Sequence, residues 1–334
     1  MRVCFVVNNV KTQRPTYTTL HVAFEAQRRG HDVRFVSVLG MSRGEDGTVH
    51  AETFAAEARA TAKEYCAALV ETERGEPASL SELDVVFLRN NPNVGPSAAG
   101  GARPNPVIDF ARCLKGRTLV YNDPDGLVRA ASKMYLAGFP DEVRPRTLIS
   151  RSPTRIKEFL RELDGPAILK PLAGYGGKDV FYVRRGQVAN LNQMIATLQK
   201  QGYVIAQEYL PQVARGDKRV LLLGGEPIRA GGHVAAYKRM RPRDDIRNNM
   251  HVGGVRKRCD FTEEDERIVS LLRPRLDADG LYFVGVDLVG DKVLEINVFA
   301  PGGVHNINEL YGVNIGERIV DDLERRVAVR RAYV

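Results

Sequence analysis

The stretch Val284-Gly-Val-Asp-Leu-Val-Gly-Asp-Lys-Val-Leu-Glu-Ile-Asn-Val298 reads as two short strands around a turn at Gly290-Asp291. Two registers compete. A two-residue loop puts Asp287 and Glu295 on opposite faces. A three-residue loop, Gly290 to Lys292, sets Asp287 opposite Glu295 and gathers Val284, Val286, Leu288, Leu294, Ile296 and Val298 on the other face. A one-residue slip turns every side chain over, so the all-apolar face selects the second register. Asp287, Glu295 and Asn297 then converge beside Gly285. Two carboxylates and an amide oxygen are hard ligands that suit Mg²⁺ or Mn²⁺. On these residues alone, a metal site and the plain polar face of a hairpin stand level.

A chain of 334 residues can bury a large core and has room for two or three domains. No window reaches the roughly 18 apolar residues that a membrane span needs. The opening Met1-Arg-Val-Cys-Phe-Val-Val7 lacks the form of a signal peptide and reads as a buried strand. Cys4, Cys66, Cys113 and Cys259 are scattered without a CxxC, so free thiols in a reducing cytoplasm are expected. Cys4 and Cys113 lie in apolar segments, which predicts burial. The net charge of +8 has two readings, a nucleic-acid binder or an enzyme for anionic nucleotides and carboxylates. The basic residues are spread out and no nucleic-acid motif is present, which favours the enzyme.

Along the chain, a strand over 2–7, a helix over 17–29 and a strand over 32–37 open a parallel sheet. The loop 8–15 lies at the carboxyl end of the first strand, where open α/β sheets place ligands. Residues 52–71 are Ala- and Glu-rich and predict a helix. A third strand spans 84–89, a Gly- and Pro-rich loop spans 94–106, and a helix and strand end this part near 122. Helices are expected over 127–138, which carries Lys133, and over 153–163 and 188–201. Strands are expected over 146–150, 167–171, 204–210 and 216–223. The last part holds the hairpin between helices over 263–279 and 313–325, with 327–334 as a tail. The expected division is 1–122, 123–203 and 204–334.

Other segments carry possible chemistry. Gly174, Gly176 and Gly177 lie between two strands, so they are no Walker loop, yet their N–H groups can form an anion nest. The alternative is a plain Gly-rich turn. Lys170 ends a buried-looking strand, where an ammonium needs a counter-charge that a phosphate would supply. Gln207-Glu-Tyr-Leu210 can offer backbone groups to an adenine edge and a carboxylate to a ribose, or can be an ordinary strand. Asp217 and Arg219 fit a turn or an anion clamp. The most basic stretch, 237–254, reads either as a solvated loop or as a lid bringing arginines to anions.

In order along nearly the whole chain, several segments carry one resemblance. They are Glu25-Ala-Gln-Arg-Arg-Gly30, Leu83-Asp-Val-Val-Phe-Leu-Arg89, Ile168-Leu-Lys-Pro-Leu-Ala-Gly-Tyr-Gly-Gly177, Gln207-Glu-Tyr-Leu-Pro211, Gly216-Asp-Lys-Arg-Val220, Phe283-Val-Gly-Val-Asp287 and Glu295-Ile-Asn-Val298. The chain resembles the ATP-grasp superfamily, and within it the bacterial glutathione synthetases. That resemblance implies a Rossmann-like α/β N-terminal domain followed by two α+β lobes that grip ATP. It implies that Lys133 and Lys170 hold phosphates, with Gly174, Tyr175, Gly176 and Gly177 covering them. Gln207, Glu208, Leu210 and Asp217 would serve the nucleotide. Asp287, Glu295 and Asn297 would hold Mg²⁺, Arg219 and Arg239 would face an acylphosphate, and Arg89, Asn249 and Gly254 would lie on the substrate side. The implied activity joins γ-glutamylcysteine to glycine with ATP, in a cytoplasmic homo-oligomer that needs neither nucleic acid nor membrane. Two departures bear on the acceptor. Phe299-Ala300 stand where the family shows small hydroxyl residues, and the 237–254 segment carries Arg241, Arg243 and Arg247 where the family is Gly-rich. A ligase for another acid or amine, or a regulatory nucleotide binder, are the rival readings.

Overall fold

A computed structural model describes residues 1–92, 106–172, 179–187, 189–240 and 255–333. Its first sheet is wholly parallel. Strand β1 (Arg2–Val7) leads through α1 (Thr18–Arg28) to β2 (Asp32–Ser37). A small antiparallel sheet follows, made of β3 (Met41–Arg43), β4 (Val49–Thr53) and, after α2 (Ala62–Glu71), β5 (Glu76–Ser79). The chain then returns as β6 (Val85–Leu88), α3 (Pro106–Leu114) and β7 (Leu119–Tyr121). The order β2-β1-β6-β7 reverses between β1 and β6, which puts the ligand-binding crevice at their carboxyl ends.

The helix expected over 52–71 is corrected. Glu52 and Thr53 end β4, whose alternating burial holds it between β3 and β5, and residues 54–61 belong to neither strand nor helix. Helix α2 begins only where Thr61 and Glu64 form a reciprocal capping box. The helix expected over 127–138 also divides. Asp123 caps α4 (Pro124–Ala130), and Ser132 then starts a 3-10 turn over Lys133–Gly138. Cys113 is exposed, not buried, because it lies on the outer side of α3, whereas Cys4 is fully buried.

A second sheet is built from β8 (Thr147–Ser150), α5 (Pro153–Glu162), β9 (Ala167–Pro171), β10 (Phe181–Val183), α6 (Leu191–Gln199) and β11 (Val204–Glu208). Its order is β10-β9-β11-β8, and it has its own core, with Ile156, Leu169, Ile195, Leu198 and Val204 among the residues packed there. The third sheet starts with β12 (Asp217–Leu223) and β13 (Glu226–Pro227). A two-strand ribbon, β14 (Arg229–Ala230) and β15 (His233–Val234), leads to β16 (Ala236–Met240) and β17 (Val255–Lys257). After α7 (Glu263–Ala278) come β18 (Phe283–Val289), β19 (Lys292–Asn297), α8 (Val304–Tyr311) and α9 (Ile315–Tyr333). The strand path is β17-β16-β12-β18-β19, with β13 pairing β12.

One face of this third sheet is apolar. Val220, Leu222, Val284, Val286 and Leu288 share a core with Ile268, Leu272 and Leu276 of α7. That core runs on into the first sheet through Cys4, Val6 and Val86, so these two sheets are joined while the second keeps apart. Val334 lies outside the described residues, and through Tyr333 the tail expected over 327–334 is instead the end of α9. Val327 is buried there, Arg331 pairs with Asp84 at 2.9 Å, and Arg330 donates to the Gly116 carbonyl at 2.8 Å. Among the described residues no helix is long and apolar enough to cross a membrane.

Asn122 fastens the joint between the first and third sheets. Its amide donates to the carbonyls of Phe283 (3.0 Å) and Val298 (2.6 Å) and accepts from the Phe283 N–H (2.7 Å). The side chain is 1% exposed, so these groups have no water to replace it. Asn122→Ala is therefore expected to lower stability by about 3 kcal/mol, read from the urea midpoint.

Candidate active site

The hairpin that decides the fold also builds the site. Asp287 lies opposite Glu295 and Gly285 opposite Asn297, as the sequence pattern predicts. The means differ from the expected three-residue loop. Val289 pairs Lys292, so the loop is Gly290-Asp291 alone, and Gly290 supplies the positive φ of 58° that such a loop needs. A bulge at Leu294 then restores the register, because Leu288 pairs Val293 while Asp287 pairs Glu295. Val293, and not Leu294, is consequently the fully buried residue.

Strand β12 supplies the next row. Arg219 stands across from Asp287 on one side and Tyr237 on the other, and Asp217 stands across from Arg239. Period-two alternation puts Asp217, Arg219, Arg239, Asp287, Glu295 and Asn297 on one face, opposite the apolar one. Gly285 makes space for this row. A Cβ there would lie 3.0 Å from Pro301 Cβ and 3.3 Å from Arg219 Cδ.

Asp287 is the most heavily partnered member. Arg219 meets it with Nε on Oδ1 and Nη2 on Oδ2 (2.9 Å). Arg239 Nη2 reaches Oδ2 at 2.7 Å, and Asn297 Nδ2 reaches it at 3.3 Å. Burial alone would raise the Asp287 carboxyl, but Arg219 and then Arg239 outweigh it and hold it at about 2. Arg239 also grips Asp217, with Nε 3.2 and 3.0 Å from its two oxygens. Burial and the nearby Asp287 charge push the Asp217 carboxyl up, against the pull of Arg239.

Glu295 is exposed and takes no part in this ion-pair set. Its charge faces Lys133 and Lys170. Lys133 Nζ donates to the Pro171 carbonyl at 3.3 Å, and Lys170 Nζ to Gln207 Oε1 at 3.0 Å. Gln207 Nε2 in turn holds Thr147 at 2.9 Å. Burial, and then the like charge of Lys133, bring the Lys170 ammonium down to about 8, against the pull of Glu295. Between about 8 and its ordinary 10.5 the unfolded chain holds this proton and the folded chain does not, so stability rises with pH through that window. Below 8 the full penalty stands. Lys170→Met is therefore expected to stabilise the unliganded protein at pH 7 by roughly 2 kcal/mol, allowing for its partial exposure. A denaturant midpoint measured at pH 7 and pH 10 checks both size and sign.

The structure gathers the sequence candidates into two groups. Lys133, Lys170, Gln207 and Glu295 form one, and Asp217, Arg219, Arg239, Asp287 and Asn297 the other. Asp217 thus sits with the arginines. Glu208 accepts from the Arg146 N–H at 2.9 Å, and Leu210 is half-buried just beyond β11. Arg89 is 6% exposed, lodged beside the rings of Phe87 and Phe283, and burial lowers it to about 9. It donates to the Pro301 carbonyl (2.9 Å) and to Thr19 (3.2 Å), so it supports the loop that follows Asn297. Gly174, Tyr175, Gly176, Gly177, Asn249 and Gly254 lie outside the described residues. Sequence reasoning missed Thr147, and it missed the Asp217–Arg239 pair, whose only signal was the shared parity of Asp217 and Arg219 on one strand.

Among the described residues no three His, Cys, Asp or Glu side chains cluster for a metal. A cation here therefore depends on Asn297 and on oxygens brought by a ligand, as well as on Asp287 and Glu295. The donor types fit a hard divalent ion. Asp287 fits through Oδ1, which accepts one donor, whereas Oδ2 already meets three.

Comparison with known proteins is consistent over the whole length. The model of the prokaryotic glutathione synthetase N-terminal domain matches residues 1–128, and that of the prokaryotic glutathione synthetase ATP-grasp domain matches residues 132–312. A glutathione synthetase of Brucella melitensis is 33% identical over 331 residues, covering 98% of this chain and 99% of that one. Another, from Gloeobacter violaceus, is 35% identical over 325 residues, covering 96% of each. Among solved structures, a RiPP-associated ATP-grasp ligase of Chryseobacterium gregarium superposes with a TM-score of 0.64 at 15% identity, covering 98% of this chain and 97% of that one. The D-cycloserine synthetase DcsG superposes with a TM-score of 0.61 at 16% identity, covering 96% of this chain and 99% of that one. At such identities these two carry the fold alone, a parallel N-terminal sheet followed by an ATP-grasp fold. By sequence over nearly its full length, the chain belongs to the prokaryotic glutathione synthetase family.

Proposed function

We propose that the chain is an ATP-dependent carboxylate–amine ligase that joins γ-glutamylcysteine to glycine, giving glutathione, ADP and phosphate. Beside family membership, one observation carries the site assignment. A single sheet face bears Arg219, Arg239, Asp287, Glu295 and Asn297 in register, and Lys133 and Lys170 face the same Glu295. The division into 1–122, 123–203 and 204–334 belongs to the same reading.

A carboxylate is a poor acyl donor, so its oxygen first takes the γ-phosphoryl group and ADP leaves. The amine then attacks the acyl carbon, the C–O bond breaks, and phosphate departs. The two ammonium groups of Lys133 and Lys170 suit the phosphate chain. Phosphate oxygens would raise the Lys170 pKa again and replace the counter-charge it lacks. Gln207, Glu208 and Leu210 line the nucleotide side. Arg219 and Arg239 suit the doubly charged acylphosphate, since planar guanidiniums bind such oxygens in pairs. Arg89 holds the loop of Pro301 in place on the acceptor side. Asp287, Glu295 and Asn297 would hold a divalent ion, with Mg²⁺ as the finer assignment. Such an ion, when bound, offsets charge on the phosphates.

The test is ADP release with ATP, Mg²⁺, γ-glutamylcysteine and a panel of amines including glycine, with the product mass checked. Glycine-dependent release and a product of glutathione mass are expected. Release with another amine only would move the acceptor. The panel is needed because the loop after Asn297 offers no hydroxyl through Gly303, and Phe299 packs against the core. ATP binding without ADP release for any pair would favour the regulatory binder.

A further inference from the structure

Leu169 and Ala206 pack into the core of the second sheet, so alternation puts Lys170 and Gln207 on its other face. There a row of polar side chains has a fixed direction. Thr147 stands directly opposite Gln207 in the β8–β11 pairing. Its Oγ1 lies 2.8 Å from the Pro145 carbonyl and 2.9 Å from Gln207 Nε2. A carbonyl only accepts and a hydroxyl has one proton, so that proton goes to Pro145. Toward Gln207 the hydroxyl can then only accept, and the amide must turn its NH₂ to it. Gln207 Oε1 is left facing Lys170 Nζ at 3.0 Å. The inverted amide would set oxygen against an oxygen whose proton is spent. It would also set NH₂ against an ammonium, which has only donors. Gln207 is 5% exposed, so water offers little in exchange.

We infer that Thr147 is a positioning residue: by committing its hydroxyl to Pro145 it turns the Gln207 oxygen toward Lys170, and so holds that ammonium in place for a nucleotide phosphate. This rests on the reading of Lys170 given above. Thr147 acts through Gln207 and is assigned no contact with ATP. The neutrality of the amide is what makes the arrangement useful. A carboxylate at this place would neutralise Lys170 and compete with phosphate for it. An amide oxygen orients the ammonium without neutralising it, and Lys170 can leave it for phosphate without stranding a buried charge. An amide turned the other way would repel the ammonium.

The test is binding of a non-hydrolysable ATP analogue with Mg²⁺ to the full chain, followed by isothermal titration calorimetry. Thr147→Val keeps the branched shape and removes the hydroxyl, which frees the amide to invert. It is expected to weaken binding about fivefold or more, the worth of one hydrogen bond. Thr147→Ser restores the hydroxyl and is expected to bind within about twofold of the unmodified protein. In a Gln207→Met background no amide is left to orient, and Thr147→Val is expected to change binding by less than about twofold. A merely structural role, through a loosened β8, would weaken binding equally in both backgrounds. Three results would overturn the inference: unchanged binding in Thr147→Val, an equal loss in Thr147→Ser, or the same loss with Gln207→Met in place. If Thr147→Val does not fold, Thr147→Ala carries the same comparisons. Lys170→Met tests the reading underneath and is expected to weaken binding about tenfold or more. If it binds the analogue as tightly as the unmodified protein, the phosphate role of Lys170 falls and this inference with it. A loss in Lys170→Met beside an unaffected Thr147→Val would sink the inference alone.

Discussion

Glu295→Gln is expected to lower turnover by roughly 10³-fold while leaving the fold unchanged. The size follows from the several kcal/mol of charge stabilisation that a held divalent ion supplies, with about 1.4 kcal/mol for each factor of ten. The unchanged fold follows from position. Glu295 is exposed at its place in β19, lies outside the three apolar cores and is in none of the ion pairs around Asp287. Surface changes of this kind usually alter stability by less than about 0.5 kcal/mol. The substitution keeps shape and removes one charge. It also removes the group that supports the ammonium forms of Lys133 and Lys170. Steady-state ADP release and a urea melt of the same preparation measure the two halves. Turnover within tenfold of the unmodified protein would remove Glu295 from the metal set. A large loss of stability would show that it has a packing role this structure does not contain.

The hairpin shows what the sequence could and could not reveal. Alternation over 283–298 was enough to set Asp287 against Glu295, since any other register exposes valines. It could not tell a longer loop from a bulge. Both absorb one extra residue and give the same carboxylate pair, and they differ only in whether Val293 or Leu294 turns inward. Elsewhere the sheet partners were the missing knowledge. Val-His-Ala-Glu-Thr over 49–53 has strand alternation, but it adjoins an Ala- and Glu-rich run, and its partners β3 and β5 lie on either side in sequence. Strand preference is decided by such neighbours more than by the residues themselves. The arginine-rich end of α9 looked like a solvated tail because Asp84, which holds Arg331, is remote in sequence. The Asp217–Arg239 pair was hidden for the same reason. Each residue is unremarkable until β16 is laid beside β12.

Arg219→Met is expected to cost about 3 kcal/mol of stability at neutral pH, at the lower end for a broken buried pair because Arg239 remains. The pH dependence is the sharper part. In the unmodified protein Asp287 ionises at about 2, below its ordinary 3.8. Above 3.8 its pairing therefore contributes full stability, and that contribution is lost as pH falls through 2. Without Arg219 the sign reverses. Burial, the largest influence on this carboxyl, is then opposed by one shared guanidinium, and the folded value moves above 3.8. A carboxyl whose folded value exceeds its unfolded one destabilises the protein fully above the folded value, and loses that penalty as pH falls from there to the unfolded value. The stability gap between Arg219→Met and the unmodified protein should thus narrow as pH is lowered from 7 toward 4, although acid weakens most proteins. Urea midpoints at half-unit steps over that range measure the gap directly. A gap that stays constant would mean that Asp287 does not depend on Arg219 for its charge. The companion change Asp287→Asn then makes the argument complete, since Arg219→Met/Asp287→Asn removes both members and should recover most of the lost stability. Recovery with no return of activity would separate what this pair does for the fold from what it does in the reaction.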